Sequence, residues 1–277
     1  MAIELRSLHT RRIPEFSHPN EYFPYRQEKP WHKPEKNNCT FYHAMTLPDG
    51  SEISGPWDIR GRFDKYIGDY PLRGKTVLDV GTASGFLAFE AEKRGATVTA
   101  TDAHSALDMK SLPFQHSAHY ANKAAWLAAM DPWLITLKNS FWFSWHEYQS
   151  EVDVLYAPID RLTLWDKKFD VVIAGAILEH LSDPITAIGV FASLAKEAVI
   201  IGFTPVSSSE GLILETVTPW SSPEPEMSYT WWAVSRGLYK RIFANMGFDV
   251  EFVECEAVCN GVPASRPTIV ARRVRPI

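Results

Sequence analysis

Apolar positions along this chain fall into short runs, separated by turn residues and by stretches of helical composition. Val77, Leu78 and Val80 make the first such run, and Gly81 and Gly85 follow it closely. Residues 84–94 have helical composition and stop at Gly95, a residue suited to a helix C-terminus. Thr97–Thr101 is β-branched at most positions and runs into Asp102. Val152–Ala157 predicts a third strand. Phe169–Gly175 reads as a strand buried on both faces, as parallel-sheet strands are, and Ala198–Phe203 predicts a fifth. A helix over 235–246 and strands over 248–255 and 267–273 complete the pattern. Strands alternating with helices predict an α/β fold.

Three regions break the alternation. Residues 1–55 carry Pro14, Pro19, Pro24, Pro30 and Pro34 among aromatics and charges, which favours extended or loop structure. They are expected to form an accessory or lid segment ahead of a main domain over 56–277. Trp57-Asp58-Ile59-Arg60-Gly61-Arg62 predicts the opening of a helix running to about Tyr70. Residues 104–150 exceed what a plain crossover needs, so extra helical structure is expected there. Residues 204–232 are rich in proline and tryptophan. Both insertions leave from the carboxyl edge of the strands, where ligands bind in sheets of this kind.

Composition narrows the partners. With 45% hydrophobic and 22% charged residues in 277, the chain can fill a core and is not of disordered composition. The net charge of −5, with dispersed Lys and Arg, argues against a broad nucleic-acid surface. No apolar run approaches the ~20 residues of a membrane span. The N-terminus shows no signal-peptide pattern, and Cys39, Cys255 and Cys259 form a sparse, odd set. A cytoplasmic protein without a metal site is the expectation.

The chemistry concentrates around Val-Leu-Asp-Val-Gly-Thr-Ala-Ser-Gly, residues 77–85. Strand, glycine turn, helix, strand and terminal acid make a nucleotide-binding unit, with Asp102 placed to take both hydroxyls of a ribose. A dinucleotide site needs further glycines where a pyrophosphate approaches, and Ala83 and Phe86 stand there instead. The segment resembles motif I of class I S-adenosyl-L-methionine (SAM) methyltransferases. Its Gly-Thr-x-x-Gly-Phe form is similar to a subgroup that includes the tRNA wobble-uridine methyltransferase-like proteins. Ala-Ile-Leu-Glu-His-Leu-Ser-Asp-Pro, residues 176–184, resembles the segment after the fourth strand in many of these enzymes. The resemblance covers about residues 56–273. It implies a Rossmann-like, mostly parallel seven-stranded sheet, with a C-terminal antiparallel hairpin and helices on both faces. It also implies that Asp79, Gly81, Thr82, Ala83, Gly85, Asp102, Ala103, Ile159, Asp160 and Ala174 hold SAM, with Trp57 and Arg60 beside them. Asp160 would accept from the adenine amino group.

Methyl transfer from a sulfonium needs orientation, which can supply about 7–11 kcal/mol, and a base only if the acceptor must lose a proton. His180 is the candidate base, and Glu179 an alternative base or a contact to the SAM amino group; the plainer readings are that His180 caps or packs a short helix and that Glu179 is solvated. His116 and His119 read as structural histidines. Arg60 or Arg62 suits a cofactor carboxylate, or equally a surface ion pair. Trp57, Trp142, Trp145, Tyr229, Trp231 and Trp232 can wall an acceptor pocket or fill the core. A small organic acceptor is the expectation, with S-adenosylhomocysteine as coproduct. An RNA-modifying transferase and a non-catalytic SAM-binding module are the alternatives.

Overall fold

The computed structural model describes residues 32–110, 122–217 and 230–275. Its main sheet has eight strands: β1 Trp57–Asp58, β2 Thr76–Val80, β3 Thr97–Asp102, β4 Asp153–Tyr156, β5 Phe169–Gly175, β6 Ala195–Gly202, β7 Phe248–Cys259 and β8 Val262–Arg273. They lie in the order β1-β7-β8-β6-β5-β2-β3-β4. The five strands from β6 to β4 are mutually parallel. Strand β8 runs antiparallel to β6 and β7, and β1 antiparallel to β7.

The count corrects the seven expected, because β1 adds an edge strand. Residues 57 and 58 therefore do not open a helix. The Asp58 carboxylate accepts from the Arg60 backbone N–H at 3.0 Å, and Gly61 takes φ 70°. That turn competes with helical pairing. Helix α1 is confined to Phe63–Tyr66. The C-terminal hairpin is longer than its apolar pattern suggests, since β7 and β8 each have 12 residues. Asn260 and Gly261, both at positive φ, make its two-residue turn. Pro263 and Pro267 mask the start of β8. Both lie outside the Ile269–Arg272 stretch that pairs with β6, so neither missing N–H faces that neighbour.

Successive residues of the central strands feed two cores. Val77, Ile173 and Ile200 face one, with Phe63, Phe89 and Phe141. Leu78, Val172 and Val199 face the other, with Ile188, Phe191 and Phe243. Helices α2 (Phe86–Lys93) and α3 (Lys123–Tyr148) contribute to the first, and α4 (Pro184–Leu194) and α5 (Arg236–Asn245) to the second. Helix α2 stops at Gly95 (φ 84°), whose N–H bonds Glu92 O while that of Ala96 bonds Ala91 O. This satisfies carbonyls that the last turn would leave bare. Helix α3 supplies the helical structure expected in 104–150, and Trp142 within it is core. Met45, Leu47 and Ile53 of the N-terminal segment are buried in the first core, so this part of the segment packs with the main sheet.

Among the described residues no helix is long and apolar enough to cross a membrane, and no cluster of three or more His, Cys, Asp or Glu is placed to hold a metal ion. His116, His119 and Tyr229 lie outside the described residues.

Candidate active site

The site forms where β2, β3 and β5 end. Strand register places Val80 beside Thr101 on one side and Ala174 on the other, and Asp102 beside Tyr156. Beyond Val80 the backbone turns sharply, with Gly81 at φ 75°, Ala83 at φ 50° and Gly85 at φ 89°. A Cβ on Gly81 would come within 2.4 Å of Ile177 Cδ1, so a side chain there would close the space between the β2 and β5 loops.

The half-buried Asp102 carboxylate accepts from Ala83 N–H at 2.8 Å and Ala103 N–H at 2.7 Å. Each oxygen keeps lone-pair capacity for a ribose hydroxyl. Burial raises the pKa of this carboxyl, opposed by the two backbone N–H groups and by Lys138. The Lys138 ammonium donates to His104 O and lies 4.7 Å from the Tyr156 ring. Asp79 sits one layer below and is fully buried. Burial pushes its carboxyl up to about 7, with Thr82 and the Ala88 N–H pulling the other way. Phe86 is buried against the His43 ring at the start of α2, where a pyrophosphate would have to approach. The donor set and the glycine cradle thus fit an adenosyl group without phosphates.

Other predicted residues lie apart from this cradle. Asp160, on the turn Ile159–Leu164, is exposed and pairs with Lys110 at 3.4 Å. Arg60 forks onto Asp58 at 2.9 and 2.7 Å and also pairs with Glu52, so a cofactor carboxylate would have to displace those partners. Trp57 packs edge-on against Phe203 at 5.5 Å. Ala174 is buried within β5.

A second group gathers around Glu179, at the ends of β5 and β6. Leu178–His180 forms one 3-10 turn, on which Glu179 is 2% exposed and His180 half-buried. Glu179 Oε2 accepts from Thr204 Oγ1 at 3.0 Å, and Oε1 has the Arg266 guanidinium at 3.6 Å. Trp231 is buried and its backbone N–H donates to Glu179 O at 2.7 Å, while the Trp232 indole donates to Leu181 O at 2.9 Å. These two tryptophans pin the turn that carries Glu179. Tyr66 lies beneath: a Cβ on Gly175 would meet its hydroxyl at 2.8 Å, and one on Gly202 its ring at 2.3 Å. Tyr42, Tyr66 and Tyr239 all feel the Glu179 charge. Sequence reading missed Tyr42, His43, Tyr66, Lys138, Thr204 and Arg266. Each reaches the site through long-range packing, and none belongs to a local motif.

Comparison with known proteins bears on the family. Residues 60–252 match the family model described as a methyltransferase domain. The chain belongs to that family, a class of SAM-dependent methyltransferases. It is 29% identical over 163 residues to a ubiquinone biosynthesis O-methyltransferase of Pasteurella multocida, covering 54% of this chain and 59% of the relative. The corresponding Klebsiella pneumoniae protein is 27% identical over 178 residues, covering 60% and 61%. The chain thus spans only about three-fifths of these curated relatives. A solved Burkholderia thailandensis 1,6-didemethyltoxoflavin-N1-methyltransferase aligns with TM-score 0.46 and 14% identity, over 77% of each chain. That remote likeness does not bear on the acceptor.

Proposed function

We propose that this protein transfers the methyl group of SAM to a small organic acceptor held beside Glu179. The observation that carries the reading is the placement of two acids at or just past the ends of the strands that flank β2. Asp102 is partly open above a glycine turn, and Glu179 is buried beside a hydroxyl and a guanidinium. When bound, SAM supplies a methyl carbon already activated by its sulfonium. Asp102, Gly81, Thr82, Ala83 and Ala103 hold the adenosyl end, with Ile159 and Asp160 at the adenine side. Glu179 takes the proton of an acceptor hydroxyl or amine, or fixes its lone pair toward the methyl. His180, on the same turn, is the alternative proton acceptor. The described parts of the two flanking regions, residues 32–55, 204–217 and 230–232, serve as accessory walls of the acceptor space.

Asp102→Ala removes a charged acceptor of two hydroxyl hydrogen bonds, each worth about 1.5–3 kcal/mol. Calorimetry with S-adenosylhomocysteine should show binding weakened at least tenfold. An unchanged Kd in a folded variant would remove Asp102 from the cofactor site.

The small-molecule reading rests on the net charge of −5 and on a Glu179 surround rich in aromatic side chains. The motif resemblance to wobble-uridine-modifying proteins supplies the rival, an RNA acceptor. Phosphate contacts would produce a steep salt dependence, with a slope of about −0.7 per phosphate for single strands. Titration with bulk tRNA at two salt concentrations is expected to show no submicromolar, salt-sensitive binding. Finding such binding would favour RNA.

A further inference from the structure

Building on the methyltransferase reading, we propose that Arg266 recognises a carboxylate on the acceptor, which is therefore an organic acid. Its methylated hydroxyl or amino group lies a few atoms from that carboxylate.

Arg266 lies on the part of β8 that has β7 on one side, pairing with Cys255, and has no β6 partner on the other. Its side chain is 35% exposed and sits 5.6 Å from the Phe203 ring. The only ion-pair partner among the described residues is Glu179, at 3.6 Å, beyond hydrogen-bond range. Glu179 draws its hydrogen bond from Thr204 instead. The guanidinium thus balances the buried charge while keeping its N–H donors for something else. Arg60 and Arg94 differ, since both close their forks on carboxylates. A planar fork of this kind matches a carboxylate with two parallel hydrogen bonds.

Tyr42 borders β1. Its backbone carbonyl accepts from Trp57 N–H at 3.2 Å, which ties it to the strand whose indole packs on Phe203. Trp57 packs edge-on against Phe203, an apolar flank to the guanidinium. Arg266 can serve Glu179 and a second carboxylate together, one on each edge of the guanidinium.

The test uses three phenolic acids as probes: 2-hydroxybenzoate, 4-hydroxybenzoate and 3,4-dihydroxybenzoate, each paired with its amide. Binding is measured on the full chain saturated with S-adenosylhomocysteine. At least one acid should bind tenfold more tightly than its amide. Arg266→Gln should abolish that preference and Arg266→Lys should retain part of it. Binding of S-adenosylhomocysteine should stay within twofold throughout. A wild-type protein that binds S-adenosylhomocysteine yet favours no acid over its amide overturns the proposal, as does a preference that survives Arg266→Gln. Loss of S-adenosylhomocysteine binding by the wild type would instead strike the methyltransferase reading itself. The acid-to-amide comparison needs only the wild type, so it stands even where a variant fails to fold.

Discussion

Glu179→Gln is expected to lower kcat by about 10²–10⁴, the usual contribution of a positioned proton acceptor. The amide keeps the shape of the side chain and can still accept from Thr204, but it cannot take a proton. Binding of S-adenosylhomocysteine should stay within twofold of wild type, because the Gly81–Gly85 turn follows β2 and Asp102 ends β3, whereas Glu179 follows β5. His180→Ala should reduce kcat less than tenfold. Single-turnover rates of both variants decide the matter. A large loss in His180→Ala with a small one in Glu179→Gln would transfer the proton-accepting role to the histidine. Equal, small losses would mean the acceptor arrives already deprotonated.

The dependence of stability on pH should split into two opposed contributions that single substitutions separate. Burial lifts the Asp79 carboxyl from 3.8 to about 7. A raised acid favours the native state while protonated, so its contribution is lost as pH climbs from about 4 to 7. Burial lowers the His43 imidazole from 6.5 to about 4. There the unfolded chain binds the proton first, so stability is gained as pH climbs across that interval. At about 1.4 kcal/mol per pH unit, each contribution amounts to about 3–4 kcal/mol, and they largely cancel in the wild type. Asp102, whose pKa is also raised, acts in the same sense as Asp79. The lowered carboxyls of Asp64, Asp170 and Asp183 act mainly below pH 4. Asp79→Asn should leave the histidine dominant, with Tm rising by about 10 °C from pH 4 to 6.5 at about 2–4 °C per kcal/mol. His43→Phe should leave the acid dominant, with Tm falling over the same range. Thermal denaturation at half-unit pH intervals measures both slopes. Parallel curves for the two variants and wild type would show that neither group titrates in this way.

Much of this architecture is legible in the sequence because the parallel strands are buried on both faces. Phe169–Gly175 is apolar almost from end to end, and its bounds coincide with β5. The cradle is legible for a different reason. Its turn, its helix start and Asp102 lie within about twenty residues, so local spacing alone encodes it. The edges are harder. Trp57 and Asp58 carry no alternation long enough to mark a strand, and their pairing with Cys259 and Val258 exists only once the distant hairpin is in place. The Asn260-Gly261 turn is a readable signal, hidden by the prolines on one flank. Arg266 illustrates the limit. An arginine in a strand of mixed polarity looks like a solvated surface charge until Glu179 and Phe203 are set beside it.

The two halves of the site also differ in how far along the chain their contacts reach. The Ala83 N–H to Asp102 bond closes a separation of 19 residues, whereas the Thr268 hydroxyl to Tyr66 O bond, beneath the acceptor side, closes 202. Closing the longer loop costs about 2 kcal/mol more in chain entropy, and contacts of that reach are slow to form. The nucleoside grip is therefore expected to assemble early, and the wall closed by Tyr66 and Thr268 to assemble late. Partial unfolding should run in the reverse order. A thermally loosened molecule would still hold S-adenosylhomocysteine after it had lost the ability to choose what it methylates.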